Sequence, residues 1–251
     1  MLKAEGLTKV YEDGTQALID FHVEVRNGEV YALLGANGAG KTTALHLFLG
    51  LLPPTSGTAY VNGIDVRVAP AEAKRCLAYI PENVRLYDGL TALQNLDFFA
   101  RLGRTAPPDP AVYAEALRRV GLDERDWHRR VRHFSKGMRQ KLALAIAFVR
   151  QADHLLLDEP TAGLDPQATA ELLALLRQFR DEGRAILMAT HDVFRVKALA
   201  DRVGILKAGR LVAEYGRSEF LHEDLEALYL RFMTLEAAAP SSGGPADRPV
   251  S

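Results

Sequence analysis

The sequence predicts an α/β fold in which a mostly parallel sheet carries an inserted helical segment. Short aliphatic and β-branched runs alternate with amphipathic helical patterns along the chain, as is typical of parallel strands that are joined by helices. A glycine-rich loop separates one of these strands from the next helix, and a helix-rich stretch at 84–150 interrupts the alternation. The alternation predicts the sheet, and the interruption predicts the insert.

The predicted strands are short aliphatic and β-branched runs at 23–25, 30–34, 59–61, 77–80, 154–157, 185–189, 202–207 and 210–215. The run at 154–157 is apolar on both faces, which predicts a buried central strand. The predicted helices repeat apolar residues at three- and four-residue spacing, at 41–49, 92–101, 111–120, 136–150, 166–181, 193–199 and 225–232.

The size of the chain allows a large core. Its 251 residues, of which 48% are hydrophobic, fit one large or two small domains, and a chain of this length buries roughly three quarters of its unfolded surface. The single Cys76 forms no internal disulfide or cysteine-rich zinc site, so we expect a reducing compartment. With 31 Lys and Arg against 32 Asp and Glu, the formal net charge of −1 makes no general case for binding nucleic acid or an anionic membrane.

Proline and small residues predict where the regular structure is interrupted. Pro107, Pro108 and Pro110 predict a loop at 105–110. Residues 237–251 are mainly Ala, Pro, Ser and Gly, which predicts a flexible tail after a domain of residues 1–236. The longest apolar run has 8 residues, far fewer than the roughly 18 to 20 that span a bilayer. The first 14 residues lack the apolar core of a secretory signal, so we expect a cytosolic protein.

Residues 35–43 match the pattern G-x-x-x-x-G-K-[ST] between a predicted strand and a predicted helix. Glycines let successive backbone N–H groups turn toward one anion, and the N-terminus of the following helix adds a positive potential. The pattern places Lys41 at the β- and γ-phosphates and the Thr42 hydroxyl at Mg²⁺. A glycine-rich turn that caps a helix by chance is the alternative, but it needs neither the lysine nor the threonines. The candidate phosphate-binding residues are Gly35, Asn37, Gly38, Ala39, Gly40, Lys41, Thr42 and Thr43.

Two adjacent carboxylates, Asp158 and Glu159, follow the predicted strand at 154–157. Ligands bind at the carboxyl ends of parallel strands, where Asp158 would hold Mg²⁺. Adjacent carboxylates repel each other unless a cation or a proton-transfer role balances them, so Glu159 is a candidate general base. The alternative is a strand that ends in two solvated acids.

Together with the phosphate loop, the two carboxylates predict a nucleoside-triphosphate hydrolase. A guanine-specific enzyme would need an Asn-Lys-x-Asp motif, which this chain lacks. Adenine is therefore favoured, and the expected ligands are ATP and Mg²⁺.

Further motifs narrow the class. Residues 134–140 read Phe-Ser-Lys-Gly-Met-Arg-Gln at the start of a predicted helix, Pro160 and Gly163-Leu164-Asp165 follow Glu159, and Thr190-His191-Asp192 follows another strand. In this order and spacing, over about residues 2–235, the motifs resemble the ATP-binding-cassette (ABC) family. The resemblance implies a P-loop NTPase core of mostly parallel sheet with an N-terminal antiparallel β subdomain and an inserted helical subdomain. It also implies a head-to-tail dimer, in which Ser135 and Gly137 of one copy cap the ATP that the phosphate loop of the other holds.

The resemblance assigns roles to further residues. Tyr11 matches the aromatic residue that stacks on adenine, although a tyrosine that pairs across an edge strand is the structural alternative. His191 matches the histidine that contacts the γ-phosphate, although a histidine with only a structural role is the alternative. The candidate catalytic residues are therefore Lys41, Glu159 and His191. Asp165 matches the acid that communicates across the dimer, and it also suits the N-cap of the helix at 166–181.

Two segments depart from the family pattern. The signature segment usually reads Leu-Ser-Gly-Gly-Gln, and here Phe134, Lys136 and Met138 replace three of the five residues while Ser135 and Gly137 remain. In the loop that joins the core to the insert, Glu82 stands where the family commonly has Gln. A carboxylate still suits Mg²⁺, so Glu82 joins Thr42 and Asp158 as a candidate metal ligand.

The resemblance also implies a transporter. Pro81-Glu82, the signature segment and the ending of the chain are similar to cassettes of ABC-2-type exporters, and residues 81–84 are similar to cassettes of the nitrous-oxide-reductase maturation system, which serves copper-site assembly. We therefore expect an ATPase subunit that pairs with a second copy and drives separate transmembrane permease subunits from the cytoplasmic face of the cell membrane. The loop at 82–90 is the candidate permease contact, with apolar residues that core packing explains equally well: Val84, Leu86, Tyr87, Leu90 and Leu93.

A soluble ABC ATPase that acts on nucleic acid or ribosomes is the chief alternative. Residues 111–150 hold 10 Lys and Arg against 4 Asp and Glu, which suits a nucleic-acid patch, but solvated helix faces beside a partner's triphosphate explain the excess as well. We expect no nucleic-acid partner, because the chain has one compact cassette without coiled-coil or zinc insertions. A regulatory protein that binds ATP and barely hydrolyses it is disfavoured by Lys41, Asp158, Glu159 and His191.

Overall fold

The computed structural model describes residues 1–102, 109–222 and 224–234. Most of the loop predicted at 105–110, and all of the tail predicted at 237–251, lie outside these residues. Of the helices in the described ranges, none is long and apolar enough to cross a membrane.

The chain forms two sheets and several helices, and the strands of the larger sheet and the longer helices have boundaries close to those predicted. The strands are β1 (Leu2–Val10), β2 (Gln16–Val25), β3 (Val30–Leu34), β4 (Ser56–Val61), β5 (Ile64–Asp65), β6 (Leu77–Ile80), β7 (His154–Asp158), β8 (Ala185–Thr190), β9 (Arg202–Lys207) and β10 (Arg210–Gly216). The α-helices are α1 (Lys41–Phe48), α2 (Pro70–Arg75), α3 (Ala92–Arg101), α4 (Pro110–Arg119), α5 (Lys136–Val149), α6 (Pro166–Asp181), α7 (Val193–Leu199), α8 (Arg217–His222) and α9 (Leu225–Thr234).

The larger sheet has six strands in the order β10-β9-β3-β8-β7-β6. The five strands from β9 to β6 pair in parallel, and β10 joins the edge antiparallel to β9. Alternate residues of β3 enter two cores: Val30 and Ala32 pack with the helices of the insert and α6, whereas Tyr31 and Leu33 pack with α1 and the smaller sheet. With both faces covered, β3, β7 and β8 are buried at every position.

The register of the central strands brings their carboxyl ends to one edge. Leu34 at the end of β3 pairs with Thr190 of β8, and Asp158 at the end of β7 pairs with Ala189 of the same strand. The residues that follow these three strands therefore lie close together, where ligands bind in parallel sheets.

The smaller sheet is antiparallel, with the strand order β2-β1-β4-β5. This is the antiparallel β subdomain that the family resemblance implied. Pattern alone did not predict β1, β5 or the first seven residues of β2, and it also missed the short helices α2 and α8.

The insert consists of α3, α4 and α5 with two short 3₁₀ turns between them. Helix α3 begins with a capping box, in which the Thr91 hydroxyl accepts from Gln94 N at 3.2 Å and the Gln94 side chain accepts from Thr91 N at 2.9 Å. Pro110 begins α4 behind an Asp109 cap. Because α5 packs against α3, α4 and α6, it joins the insert to the core.

Candidate functional site

A cleft of about 390 Å³ opens at the carboxyl edge of the larger sheet. It lies between the loop after β3, the carboxylates after β7 and the turn that joins β1 to β2. Its lining residues are Tyr11, Thr15, Gln16, Ala17, Asn37, Gly38, Ala39, Gly40, Lys41, Thr42, Thr43, Glu82, Asp158 and Glu159. The structure thus brings most of the predicted phosphate-binding and metal-binding residues to one site.

The phosphate loop packs so closely against its neighbours that it needs glycine at two positions. A Cβ atom on Gly35 would lie 2.5 Å from Leu206 O, and one on Gly40 would lie 2.1 Å from Ala17 O. Gly40 also has a φ of 107°, in the left-handed region. It precedes α1, whose first backbone N–H groups have no capping side chain at Gly40 and are available to an anion.

Lys41 is held inside the loop that precedes it. Its Nζ donates to Gly35 O at 2.7 Å and to Ala36 O at 3.1 Å, and it lies 3.7 Å from Glu159 Oε1. Burial lowers the pKa of Lys41, while the nearby charge of Glu159 opposes that change. The backbone carbonyls of Gly35 and Ala36 therefore determine where the positively charged end of Lys41 lies in the loop.

Asp158 and Thr42 form the oxygen pair expected of a magnesium site. The Thr42 hydroxyl donates to Asp158 Oδ2 at 2.8 Å, and the Tyr79 hydroxyl lies 3.5 Å from the same oxygen. Burial raises the pKa of Asp158, so a cation at this point would stabilise its charged form. Burial also raises the pKa of Tyr79 to about 12, which keeps its hydroxyl neutral.

This donor set fits Mg²⁺, which prefers oxygen ligands and takes one or two carboxylates together with phosphate oxygens and water. Among the described residues, no group of three or more His, Cys, Asp or Glu could hold a metal ion. Thr42 and Asp158 would supply oxygen ligands, and phosphate oxygens and water would complete the set.

Glu159 is oriented by three groups from other parts of the site. The Thr190 hydroxyl donates to Oε2 at 3.0 Å, and His191 Nδ1 lies 2.7 Å from Oε1, the oxygen that faces Lys41. Its backbone has a φ of 45°, a left-handed conformation that costs a non-glycine residue about 1–2 kcal/mol. Strain of this kind is typical of functional sites, and here it accompanies a carboxylate that is fixed on both oxygens.

The signature segment contributes no residue to the described lining of this cleft. The Ser135 hydroxyl accepts from Met138 N at 3.2 Å and caps α5, and a Cβ on Gly137 would lie 3.1 Å from the Ala168 side chain. Asp165 accepts from Ala168 N at 2.8 Å, which confirms it as the N-cap of α6. Within the described residues, Ser135, Gly137 and Asp165 are absent from the cleft lining.

Tyr11 and Glu82 both line the cleft. Tyr11 follows the end of β1, where its N–H donates to Thr15 O at 2.9 Å across the turn to β2, and its hydroxyl lies 3.2 Å from the Thr43 hydroxyl. The Glu82 carboxylate lies 3.6 Å from Lys136 Nζ. Motif reasoning did not assign the contacts that Thr190, Tyr79 and Lys136 make, because they depend on which strands become neighbours.

The apolar residues predicted to contact the permease do not all line the same groove in the structure. Val84 and Leu86 line a groove of about 440 Å³ between β6, the following loop and α5. Tyr87 packs edge-on against Phe98, and Val84, Leu86 and Leu93 all pack against the core. Of the described residues predicted for this contact, Tyr87, Leu90 and Leu93 do not line the groove.

Sequence comparisons agree with these features. The ABC transporter family matches residues 18–162. The ABC transporter ATP-binding protein NatA of Bacillus subtilis is 38% identical over 211 residues, which cover 83% of this chain and 85% of NatA. The linearmycin resistance ATP-binding protein LnrL of the same organism is 34% identical over 215 residues, which cover 85% of this chain and 68% of LnrL.

Longer relatives and a solved structure extend the comparison. The human phospholipid-transporting ATPase ABCA3 is 35% identical over 232 residues, which cover 91% of this chain but only 13% of ABCA3. The dimeric structure of a post-hydrolysis state of the ATP-binding cassette MJ0796, bound to ADP and Pi, matches with a TM-score of 0.78 at 25% identity and covers 86% of this chain and 99% of that one.

Proposed function

Because this chain belongs to the ABC transporter family as an ATPase domain, we propose that it is the ATP-hydrolysing subunit of a transporter whose transmembrane permease is a separate chain. The observation that carries the proposal is the placement of Glu159. Its carboxylate is held by Thr190 and His191 and lies 3.7 Å from Lys41, beside the oxygen pair of Thr42 and Asp158.

Each residue of the site has its own role in ATP hydrolysis. The N–H groups of the phosphate loop and Lys41 bind the β- and γ-phosphates of ATP, and Tyr11 stacks on the adenine. Glu159 accepts a proton from the attacking water, and His191 stabilises the charge that develops on the phosphoryl group. Thr42 and Asp158, with Glu82 at the rim, would hold Mg²⁺, which when bound neutralises charge on the β- and γ-phosphates.

A second copy of the chain completes the site in this proposal. Ser135 and Gly137 begin α5 and do not line the cleft of their own chain, whereas a helix N-terminus with a serine hydroxyl suits a phosphate. In a head-to-tail dimer each copy therefore offers its signature segment to the ATP of the other. The dimeric form of the MJ0796 cassette supports this arrangement.

We assign the permease to the ABC-2-type exporters and place the ATPase at the cytoplasmic face of the cell membrane through that permease. The motifs around Glu82 and the signature segment support the assignment, as does a relative that is named for resistance to linearmycin. The groove lined by Val84, Leu86 and Phe99 is the proposed seat for a permease segment. A role in copper-site assembly stays a prediction.

The charges of the insert disfavour a nucleic-acid function. Seven of the ten cations at 111–150 form ion pairs within the chain: Arg118 with Glu124, Arg119 with Glu182, Arg125 with Asp123, Arg129 with Asp126, Lys136 with Glu82, Arg139 with Asp88 and Lys141 with Glu171. Each pair places a carboxylate beside the cation, which lowers the local positive potential that a phosphate backbone would meet.

Two experiments test the proposal. Glu159→Gln keeps the size of the side chain but removes the base, so we expect hydrolysis to fall by about 100-fold or more and ATP to trap a dimer in gel filtration. The control Glu171→Gln changes a carboxylate outside the cleft and should hydrolyse ATP normally. A Glu159→Gln chain that stays monomeric with ATP would contradict the composite site.

The second experiment concerns the partner. The chain, expressed in its own host and purified from detergent-solubilised membranes, should bring with it a polytopic membrane protein. Sedimentation with ribosomes, or retention of nucleic acid at moderate salt, would contradict transport and favour the alternative function.

A further inference from the structure

Two of the residues that depart from the family pattern, Glu82 and Lys136, contact each other. Lys136 Nζ lies 3.6 Å from Glu82 Oε1. Glu82 lines the nucleotide cleft and is half exposed, whereas Lys136 belongs to the signature segment at the start of α5. An ammonium from the signature segment is thus brought to the rim of the cleft of its own chain.

Gln140 and Gly163 lie on two sides of this contact. Gln140, which is 1% exposed, donates from Nε2 to Pro81 O at 3.4 Å and to Glu82 O at 3.3 Å. On the other side, a Cβ on Gly163 would lie 3.5 Å from Lys136 Nζ. Lys136 therefore sits between the loop of Glu82 and the loop that follows Glu159.

The charges of the cleft give this contact a role. Three carboxylates line the cleft, those of Glu82, Asp158 and Glu159, and among the described lining residues Lys41 is the one Lys or Arg. ATP adds several negative charges to this site. A glutamine at position 82 would add none, so without Mg²⁺ the glutamate repels the triphosphate unless a neighbouring cation holds its carboxylate.

We propose that Lys136 is a positioning residue, whose ion pair holds the Glu82 carboxylate at the rim of the nucleotide cleft and away from the triphosphate. The inference rests on the proposed function, since the ligand it concerns is ATP. Without Lys136, the released Glu82 carboxylate turns toward the triphosphate and repels it; without both side chains, that repulsion is gone. A partly exposed ion pair changes an equilibrium by at most about fivefold, which sets the size of the effect.

The test is equilibrium titration of the full chain with ATP in EDTA, where no metal contributes to binding. Lys136→Met should weaken ATP binding by about two- to fivefold. Lys136→Arg should bind as the wild type does, and Glu82→Gln combined with Lys136→Met should bind as Glu82→Gln alone does. High salt should abolish the difference between Lys136→Met and the wild type.

A matched control comes from the same helix. Arg139 pairs with Asp88 at 2.8 Å, and both residues are absent from the described lining of the cleft. Arg139→Met removes the same charge from the first turn of α5, so any change it causes in ATP binding should persist when Glu82→Gln is added.

Two results would overturn the inference. Wild-type affinity in Lys136→Met would mean that Glu82 needs no compensation. An equal loss with and without Glu82→Gln would mean that Lys136 acts on the nucleotide directly or through the fold. Failure of the wild-type chain to bind ATP at all would instead overturn the proposed function, and the inference with it.

Discussion

Two glycines of the phosphate loop allow its packing against β2 to be measured. Gly38 and Gly40 have φ values of 80° and 107°, so alanine at either position is strained by about 1–2 kcal/mol. A Cβ on Gly38 meets nothing within 4 Å, whereas one on Gly40 would lie 2.1 Å from Ala17 O. Since Ala17 O belongs to the backbone of β2, the loop or the strand must move, which typically costs about 1–3 kcal/mol more.

We therefore expect Gly38→Ala to lower the free energy of unfolding by about 1–2 kcal/mol and Gly40→Ala to lower it by about 2–5 kcal/mol. Alanine reduces the entropy of the unfolded chain equally in both variants, so their difference reports the contact with Ala17. Urea unfolding without nucleotide, followed by circular dichroism, measures both values. Equal losses, or a larger loss for Gly38→Ala, would refute the packing argument.

Three other measurements concern the metal site, Glu82 and a buried histidine. Thr42→Val removes the hydroxyl that donates to Asp158 at 2.8 Å. Affinity for MgATP should therefore fall by about tenfold or more, while affinity for ATP in EDTA stays nearly constant. Equal losses of affinity with and without Mg²⁺ would place Thr42 outside the metal site. Glu82→Gln should leave steady-state hydrolysis within several-fold of the wild type, and a loss as large as that of Glu159→Gln would reject this. Burial lowers the pKa of His154 from 6.5 to about 4. Between these pH values the unfolded chain therefore binds more protons than the folded chain does. The free energy of unfolding should fall by up to about 3 kcal/mol as the pH drops from 6.5 to 4. Urea midpoints across this range should be much flatter for His154→Leu, and a wild-type profile as flat as that would contradict the prediction.

Strands of the larger sheet were predicted closely because their physical signal is strong. β3, β6 and β9 begin and end at the predicted residues. β3 and β6 are apolar throughout, and β9 has a buried run at 203–206 between Arg202 and Lys207. Such a run stays recognisable whatever its partners are. Helices α3, α6 and α7 likewise coincide with their predictions, since capping residues mark where they begin.

In the smaller sheet, the hydrophobic pattern missed β1 and the first seven residues of β2 because these strands change register. In β1 the buried residues Leu2 and Ala4 are followed by Leu7, and in β2 Leu18 is followed by Phe21. A register irregularity lies between the members of each pair, so the inward-facing side chains change parity and the two-residue period disappears from the sequence. Short segments such as β5 carry too few residues for any period.

The parts of the candidate site that were predictable are those whose geometry follows from one local sequence motif. The phosphate loop and the two carboxylates lie where their flanking strands place them. The contacts of Glu159 with Thr190 and His191 join segments about thirty residues apart, and the contact of Lys136 with Glu82 joins the insert to the core. Contacts of this kind depend on strand order and helix packing, which local patterns do not encode.

The meeting of Gly137 and Ala168 has a mechanical consequence. A Cβ on Gly137 would come within 3.1 Å of the Ala168 side chain, so the first turns of α5 and α6 lie against each other with almost no free space. Helix α6 begins where the segment after Glu159 ends, and any shift of that segment during a catalytic cycle must push or release the first turn of α5. In a dimer of the proposed kind, the contact between Gly137 and Ala168 would thus couple hydrolysis of the ATP in one site to the position of Ser135, which faces the ATP in the other site.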